Sequence, residues 1–293
     1  MQKRTGQMPE WFLVLRKYIL RNPRALIGIF IIVVFAAVAV FADSLSSIDP
    51  NNIAFFPWET PSPEHPLGTN SYGQDIFSQV VHGSRITLLV GILAGLLTSL
   101  IGTAVGLVAG YKGGAVSEVL MRIVDVFLTI PSLAFTIVIS SMLPQMTVTS
   151  TILVIGALNW MWMARSVRSQ TLSESRRDYV DAARALGMSD AEIMFKEILP
   201  NIIPVITANM VMVITSAMLT EASLSFLGIG DPTSISWGKM LSTAFDNGAI
   251  IYEAWNWILP PGLCIATLGY SFMLIGNSFL DIYANDRGGA VKL

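Results

Sequence analysis

Long apolar runs alternate with short polar stretches along most of this chain. A helix that crosses a bilayer needs about 20 mostly apolar residues, and the pattern predicts six of them. The first runs from Ala25 to Ala42 without a charge, and the second from Ile86 to Gly110. The third and fourth share the uncharged stretch Val126 to Ala164, which Leu143-Pro144-Gln145 divides. The third begins before Val126 and takes in Arg122 and Asp125, three apart on one helix face and placed to pair with each other. The fifth runs from Asn201 to about Leu224 and the sixth from about Trp257 to Leu280. The predicted fold is therefore an all-α integral membrane protein with six transmembrane helices. Pro131 and Pro204 are expected to kink or interrupt the third and fifth spans. The second carries Gly91, Gly95, Gly102, Gly106 and Gly110, a spacing that lets another helix backbone approach closely, within this chain or from a second subunit.

One polar island interrupts the back half. It reads RSVRSQTLSESRRDYVDAARALGMSDAEIMFKEILP from Arg165 to Pro200, with apolar runs on both sides. Ser175 and Asp178 have capping-box spacing, and Tyr179, Ala182, Ala183 and Leu186 then fall on one helical face, with Asp181 and Arg184 off it. Gly187 sits where a helix ends in a left-handed residue, and Ser189 with Glu192 repeats the box to start a second helix. Leu199-Pro200 leads into the fifth span. The pattern describes two short capped helices, either a docking knob for another protein or a solvated loop.

Composition narrows the class. The chain has 293 residues, 53% hydrophobic and 13% charged, against about 25% charged in soluble domains. Mean hydropathy is +0.61. The distribution of charge matters more than the net −2. Lys3, Arg4, Arg16, Lys17, Arg21 and Arg24 precede the first span, which reads as a retained signal-anchor, and Arg165, Arg168, Arg176, Arg177, Arg184 and Lys196 lie in the island. The stretch from Asp43 to Ser84 has no Lys or Arg, the segment from Phe226 to Asn256 has only Lys239, and the tail has Arg287 and Lys292. Lysine and arginine stay on the cytoplasmic side, so both termini and the island are predicted to be cytoplasmic. Arg85, at the mouth of the second span, does not fit this pattern. The organisation is then 1–84, with the N-terminus, first span and a long extracytoplasmic loop; 85–283, a five-span core with the cytoplasmic loop 165–200; and a tail, 284–293.

Candidate chemistry is sparse. The single cysteine, Cys264, forms no disulfide within the chain, and His65 and His82 are too few for a metal centre. Asn209, Ser216 and Thr220, together with Val213, fall near one face of the fifth span and are candidates to line a pathway. Glu221 either faces that pathway or caps the turn at Leu227-Gly228. Asp231, Pro232 and Trp237 lie in the second outer segment, whose aromatic residues are either interfacial anchors or a surface for an outside partner. No phosphate-binding G-x-x-x-x-G-K-[ST] loop, hydrolase motif or intramembrane carboxylate relay is present. A transporter of this kind is passive or takes its energy from a partner, and the island is where a cytoplasmic partner could push.

The island resembles the coupling loop of binding-protein-dependent ABC importer permeases, E-A-A, three residues, Gly, then about nine residues to I-x-L-P. Asp181-Ala182-Ala183, Gly187 and Leu199-Pro200 stand at those places, with Asp181 for the glutamate and Glu197 for the isoleucine. His65-Pro66-Leu67-Gly68-Thr69, Gly73, Asp75-Ile76 and Gly83-Ser84-Arg85 resemble the stretch before the second span in the oligopeptide/dipeptide branch, which commonly has arginine where this chain has Gln74 and Gln79. Glu221 to Gly228, then Pro232 and Trp237-Gly238, resembles the motif after the fifth span in the C-type subunit of that branch.

The resemblance implies a type I ABC importer permease fold in a prokaryotic plasma (inner) membrane. It implies a heterodimer with a homologous B-type permease and two cytoplasmic ATPase subunits that use ATP and Mg2+, with no cofactor in this chain. It also implies an extracytoplasmic solute-binding protein that delivers peptides. Tyr179, Asp181, Ala182, Ala183, Arg184, Gly187, Leu199 and Pro200 would form the loop that meets the ATPase. The same machine could carry oligosaccharides or nickel. A different class, a stand-alone channel or membrane scaffold, would need no ATPase. Nothing points to catalysis in this chain or to a nucleic-acid partner.

Overall fold

The structure, a computed structural model, describes residues 22–289. Lys3, Arg4, Arg16, Lys17 and Arg21 of the predicted cytoplasmic N-terminus, and Lys292 of the tail, lie outside the described residues. Helix α1 (Pro23–Val40) begins on Asn22, whose Oδ1 accepts from the Arg24 N–H at 3.0 Å. Pro23 takes the first helical position, where its missing N–H has no partner to lose. A single turn, α2 (Ala42–Leu45), opens the long outer segment. Helix α3 (Ile76–Lys112) then starts on Asp75, whose carboxylate accepts from the N–H groups of Phe77 at 3.2 Å and Ser78 at 3.0 Å.

Helix α3 starts ten residues before its predicted span because polar side chains line its first turns. These face protein rather than lipid. The Ser78 hydroxyl donates to Ile48 O at 2.6 Å, and Gln79 Nε2 donates to Pro50 O at 3.1 Å. Arg85 closes the end of α1 by donating to the carbonyls of Ala39 and Val40, and it grips Asp43 with both terminal nitrogens at 3.0 and 2.8 Å. That grip holds the Asp43 carboxyl below the usual carboxylate range. It also explains a basic residue at the otherwise acidic end of the bundle.

The third predicted span is two helices, α4 (Gly114–Thr129) and α5 (Ser132–Ser141), bent by 86°. Ile130 is extended (φ −88°, ψ 129°), as the residue before a proline prefers, and Pro131 starts α5. The predicted fourth span is also divided, contrary to a single helix through to Ala164. Helix α6 (Val148–Leu158) opens on a capping box of Thr147 and Ser150, and α7 (Met161–Glu174) follows after Asn159 and Trp160. The Asn159 amide donates to Ile155 O at 2.8 Å and so competes for a carbonyl that the helix would use.

Helix α8 (Asp178–Ala185) lies in the island, and α9 (Asp190–Phe226) runs unbroken from the island to the far end of the bundle. Its turn at Ile193–Ile198 is widened into a π-helix, and the Leu199 N–H reaches back to Met194 O. That wider turn moves backbone away from the ring of Pro200, which would clash with the carbonyl four residues earlier in a regular helix. Pro204 lies inside α9 without interrupting it. Helix α10 (Trp237–Asp246) follows at the end of the bundle where α9 finishes, and α11 (Trp255–Gly289) completes the bundle.

Among the described residues, α1, α3, α9 and α11 are each long and apolar enough to cross a membrane, and the bent pair α4–α5 makes a fifth such unit. Helix α3 is the centre of the packing. A Cβ on Gly95 would lie 2.5 Å from Ile214 of α9, whereas one on Gly106 would lie 2.6 Å from Ala164 O of α7. The glycine stripe therefore packs within this chain, Gly91 and Gly95 against α9 and Gly102, Gly106 and Gly110 against α7.

Candidate coupling segment and translocation cavity

The island is anchored by a buried carboxylate. Glu174, at the end of α7, accepts from the Tyr179 hydroxyl at 3.1 Å and pairs with Arg177 Nε at 3.0 Å, with its side chain 4% exposed. Burial and the neighbouring Glu174 charge push the Tyr179 phenol up to about 12, so it stays a neutral donor at any physiological pH. Arg177, without a side-chain cap, takes the N-cap place of α8. The predicted box of Ser175 and Asp178 is therefore absent. Ser175 instead ends α7, its N–H bonded to Thr171 O at 2.8 Å, because α7 runs on through the residues expected to be loop.

Helix α8 ends as predicted. Gly187 has φ +80°, its N–H reaches Arg184 O at 3.0 Å, and the Met188 N–H reaches Ala183 O at 3.2 Å. This is the Schellman closure, with Met188 tucked toward Ala183. Ser189 then starts α9 with the predicted capping box, as its Oγ accepts from the Glu192 N–H while Glu192 accepts from the Ser189 N–H at 3.2 Å. The end of α3 holds this turn, since Lys112 pairs with Asp190 at 2.6 Å and the Tyr111 hydroxyl donates to Asp190 at 2.9 Å. Those two bonds keep the Asp190 carboxyl below its usual range. Arg184 stacks over Tyr111 at 5.5 Å and pairs with Asp181 at 3.0 Å.

The predicted apolar face divides in two. Val180 and Ala183 face inward with the half-buried Tyr179, packing on Ile193 and Ile198 of α9 and Val167 of α7. Ala182 is exposed, and Leu186 is 84% exposed because the Schellman turn swings it outward. Phe195, 61% exposed on the widened turn of α9, adds a second large apolar side chain to the outer surface of the island. Leu199 is half-buried behind them, and Pro200 sets the wide turn.

A cavity of about 820 Å³ opens where both divided spans break. Thr129, Ile130 and Pro131 line it from one break and Asn159, Met161 and Trp162 from the other, with Asn209 and Ser216 of α9 opposite. Irregular backbone is tolerated at membrane depth where it lines such a space. The Asn209 amide donates to the Ser166 hydroxyl at 2.8 Å. Two of the four path candidates thus line the cavity. Thr220 does not, and its hydroxyl donates to Ser216 O at 2.8 Å. Glu221 neither opens to the cavity nor caps the following turn. It is 2% exposed, accepts from the Ser225 hydroxyl at 2.8 Å and faces a small polar pocket with Asp231 and Ser236. The turn is closed by backbone instead, the Ile229 N–H reaching Leu224 O at 2.9 Å. Sequence reasoning missed Asn159 and Trp162, although a lone asparagine between two apolar runs marks the break.

The sequence matches the family described as binding-protein-dependent transport system inner membrane component over residues 102–286. Residues 11–65 match the N-terminal transmembrane domain of oligopeptide transport permease C. The chain belongs to this family of ABC importer permeases. Its relatives include the oligopeptide transport system permease protein OppC of Bacillus subtilis, 35% identical over 89% of this chain and 85% of the relative. The dipeptide transport system permease protein DppC of Haemophilus influenzae is 35% identical over 92% of both chains. OppC of Escherichia coli K12 is 36% identical over 91% of this chain and 88% of the relative. The chain is thus a multi-pass inner-membrane transport subunit that works with ATPase and binding-protein partners.

In this permease the outer segment folds back on the bundle. Trp237, read as either an interfacial anchor or part of a surface for an outside partner, is neither and is fully buried. Its indole N–H donates to Val80 O at 2.9 Å and its ring meets Phe35 edge-on at 5.5 Å. Gly83 leaves the room for that indole, since a Cβ there would lie 3.0 Å from it. Asp231 is half-buried and pins the start of α6, accepting from the Val148 N–H at 3.1 Å, whereas Pro232 is exposed. The predicted pair of Arg122 and Asp125 is absent, because Asp125 pairs across to Arg165 of α7.

Proposed function

We propose that this permease imports peptides and that the outer surface of α8 receives the stroke of an ATPase subunit. The observation that carries the reading is a firmly anchored helix with large apolar side chains turned outward. Glu174, Lys112 and Tyr111 hold the island from behind, while Ala182, Leu186 and Phe195 face away from the bundle. Apolar side chains of this size on a capped helix suit insertion into a groove, with Asp181 and Arg184 at its rim.

The bent pair α4–α5 acts as the third span and α6 with α7 as a broken fourth, giving six spans with both termini in the cytoplasm. The basic island then lies on the side where ATP is available. The chain pairs with a homologous B-type subunit, and ATP and Mg2+ act in the partner ATPases. Closure of those ATPases draws the coupling helices together and turns the pathway outward, as alternating access between two global states.

Peptide cargo is supported by the relatives and by the cavity lining. The lining is uncharged, with Asn159, Asn209, Thr129 and Ser132 offering bonds to peptide groups and Trp162, Met161 and Phe127 offering apolar contact. Copurification of the ATPase subunits with the detergent-extracted chain tests the coupling role. Leu186→Asp should abolish that copurification without altering the chain's amount in the membrane. Equal recovery of ATPase with the variant would overturn the assignment of the docking surface.

A further inference from the structure

The small pocket that Glu221 faces lies at the end of the bundle away from the island, where three parts of the chain meet. Glu221 and Ser225 come from α9, Thr151 from α6, and Asp231, Ser234 and Ser236 from the segment between α9 and α10. Glu221 is 2% exposed, and the chain uses only one of its carboxylate oxygens. Oε1 accepts from the Ser225 hydroxyl at 2.8 Å, whereas Oε2 is buried without a hydrogen-bond partner among the described residues. A buried carboxylate oxygen left bare is costly. A proton on Oε2 would not relieve it, because no acceptor lies within hydrogen-bonding distance.

The rest of the lining offers lone pairs rather than protons. Ser225 gives its proton to Glu221, Ser234 gives its own to Asp231 Oδ2 at 3.1 Å, and Thr151 donates to Thr147 O at 2.9 Å. Ser236 Oγ accepts from the Lys239 N–H at 3.3 Å. Asp231 accepts four bonds. The Thr233 N–H and hydroxyl fill Oδ1, and the Val148 N–H and Ser234 hydroxyl fill Oδ2, so this carboxylate is ionised and has no oxygen to spare. Two carboxylates thus share one pocket, and no Lys, Arg or His lines it. Lys239 lines a neighbouring pocket with Asn51 and Gln79 instead.

The free space is about 10 Å³, room for one water-sized occupant and no hydration shell. A water there would leave both carboxylate charges uncompensated. Oxygen-only donors suit a hard cation. Since Asp231 is saturated, Glu221 Oε2 is the one carboxylate oxygen left to balance charge, which matches a single positive charge rather than the two of Ca2+ or Mg2+. Mg2+ also keeps several of its waters, for which there is no room.

We propose that this pocket binds one dehydrated sodium ion, held by Glu221 Oε2 and the hydroxyl oxygens of Ser225, Ser234, Ser236 and Thr151. The ion ties the end of α9 to α6 and to the segment that leads into α10.

Equilibrium binding of radioactive sodium to the complete complex, permease with its partner subunits in choline chloride, tests the site. The complex should bind one ion more than the same complex carrying Glu221→Gln, which keeps the shape of the side chain and removes its charge. Ser225→Ala removes a ligand and keeps the charge, and it should weaken the affinity about tenfold, as loss of one bond to a charged group does. It also serves as the test if the Glu221→Gln complex does not assemble. Asp246→Asn, an exposed acid outside the pocket, should leave binding unchanged. Absence of saturable sodium binding assigns the pocket to a water and overturns the proposal. Binding that neither Glu221→Gln nor Ser225→Ala alters overturns it, as does an equal loss in Asp246→Asn. Retention of Ca2+ in preference to sodium at equal concentration makes the site divalent and overturns it as well.

Discussion

The two ends of this permease carry polar segments of similar appearance, but only one of them buries its largest aromatic side chains. At the outer end the two largest core side chains, Trp237 and Trp257, are buried, the first locked by a hydrogen bond to Val80 O and by Phe35, while Phe56, Phe245, Ile251 and Tyr252 stay on the surface. At the island the buried residues are small or medium, Val180, Ala183 and Ile193, and the large ones, Leu186 and Phe195, point away. Burying a large side chain stabilises the fold that buries it, and leaving one exposed gains nothing until a partner covers it. The outer segment thus closes the bundle, whereas the island is finished as a helix and unfinished as a core.

The largest effect that would break this contrast is at Trp237. Trp237→Ala should cost about 3–5 kcal/mol, as loss of a buried aromatic side chain does, read as a lower melting temperature of the detergent-purified protein. Leu186→Asp should change stability by no more than about 0.5 kcal/mol, as exposed substitutions do. Equal destabilisation by the two would remove the distinction between the ends.

Glu174→Ala tests whether the island is held from behind. Removing the acceptor of Tyr179 and Arg177 should cost about 2–3 kcal/mol locally, since bonds to charged groups are the stronger ones. Amide exchange across 178–185 should then rise while that of α10 stays unchanged.

Gly187→Val should strain the turn by about 1–3 kcal/mol, because no neighbour lies within 4 Å of a Cβ there and the cost is in the positive φ alone. Gly187→Asn should recover most of the loss, as asparagine tolerates that conformation. Uptake by the two variants, compared at equal membrane levels, checks the order.

The smallest effect is with pH. Asp190 and Glu192 are both held down, Asp190 by Lys112 and Tyr111, and Glu192 to about 2 by Lys196 and Ser189. Their contributions are fully present above the ordinary carboxylate values of about 4 and are lost only as pH falls through the lowered ones. Exchange protection of the turn at 188–192 should therefore be flat from neutral pH down to about pH 5 and fall below about pH 4.

Most of the spans were legible because membrane helices show as apolar runs, and the turn at Gly187 and the Ser189–Glu192 box were legible because both are local. The sequence was silent where a polar residue bonds to something distant. Gln79 and Arg85 look like a loop and belong to α3, because their partners lie about 30 and 45 residues earlier. Asp125 has Arg122 three residues away and pairs with Arg165 instead. Of the path candidates, Asn209 and Ser216 were found from helical spacing, whereas Asn159 and Trp162 were not, since they lie at a break that spacing does not describe.

Helix α9 spans 37 residues without a break, from the Asp190 turn to Phe226 beside the outer pocket of Glu221. At 1.5 Å per residue it is a rod of about 55 Å, so a tilt of about 5° pivoting at one end displaces the other by about 5 Å. Helical hydrogen bonding continues past both the widened turn and Pro204. If the island is the ATPase contact proposed above, a push on Phe195 would be carried along this rod to its far end, and the cavity beside Asn209 and Ser216 lies along the way.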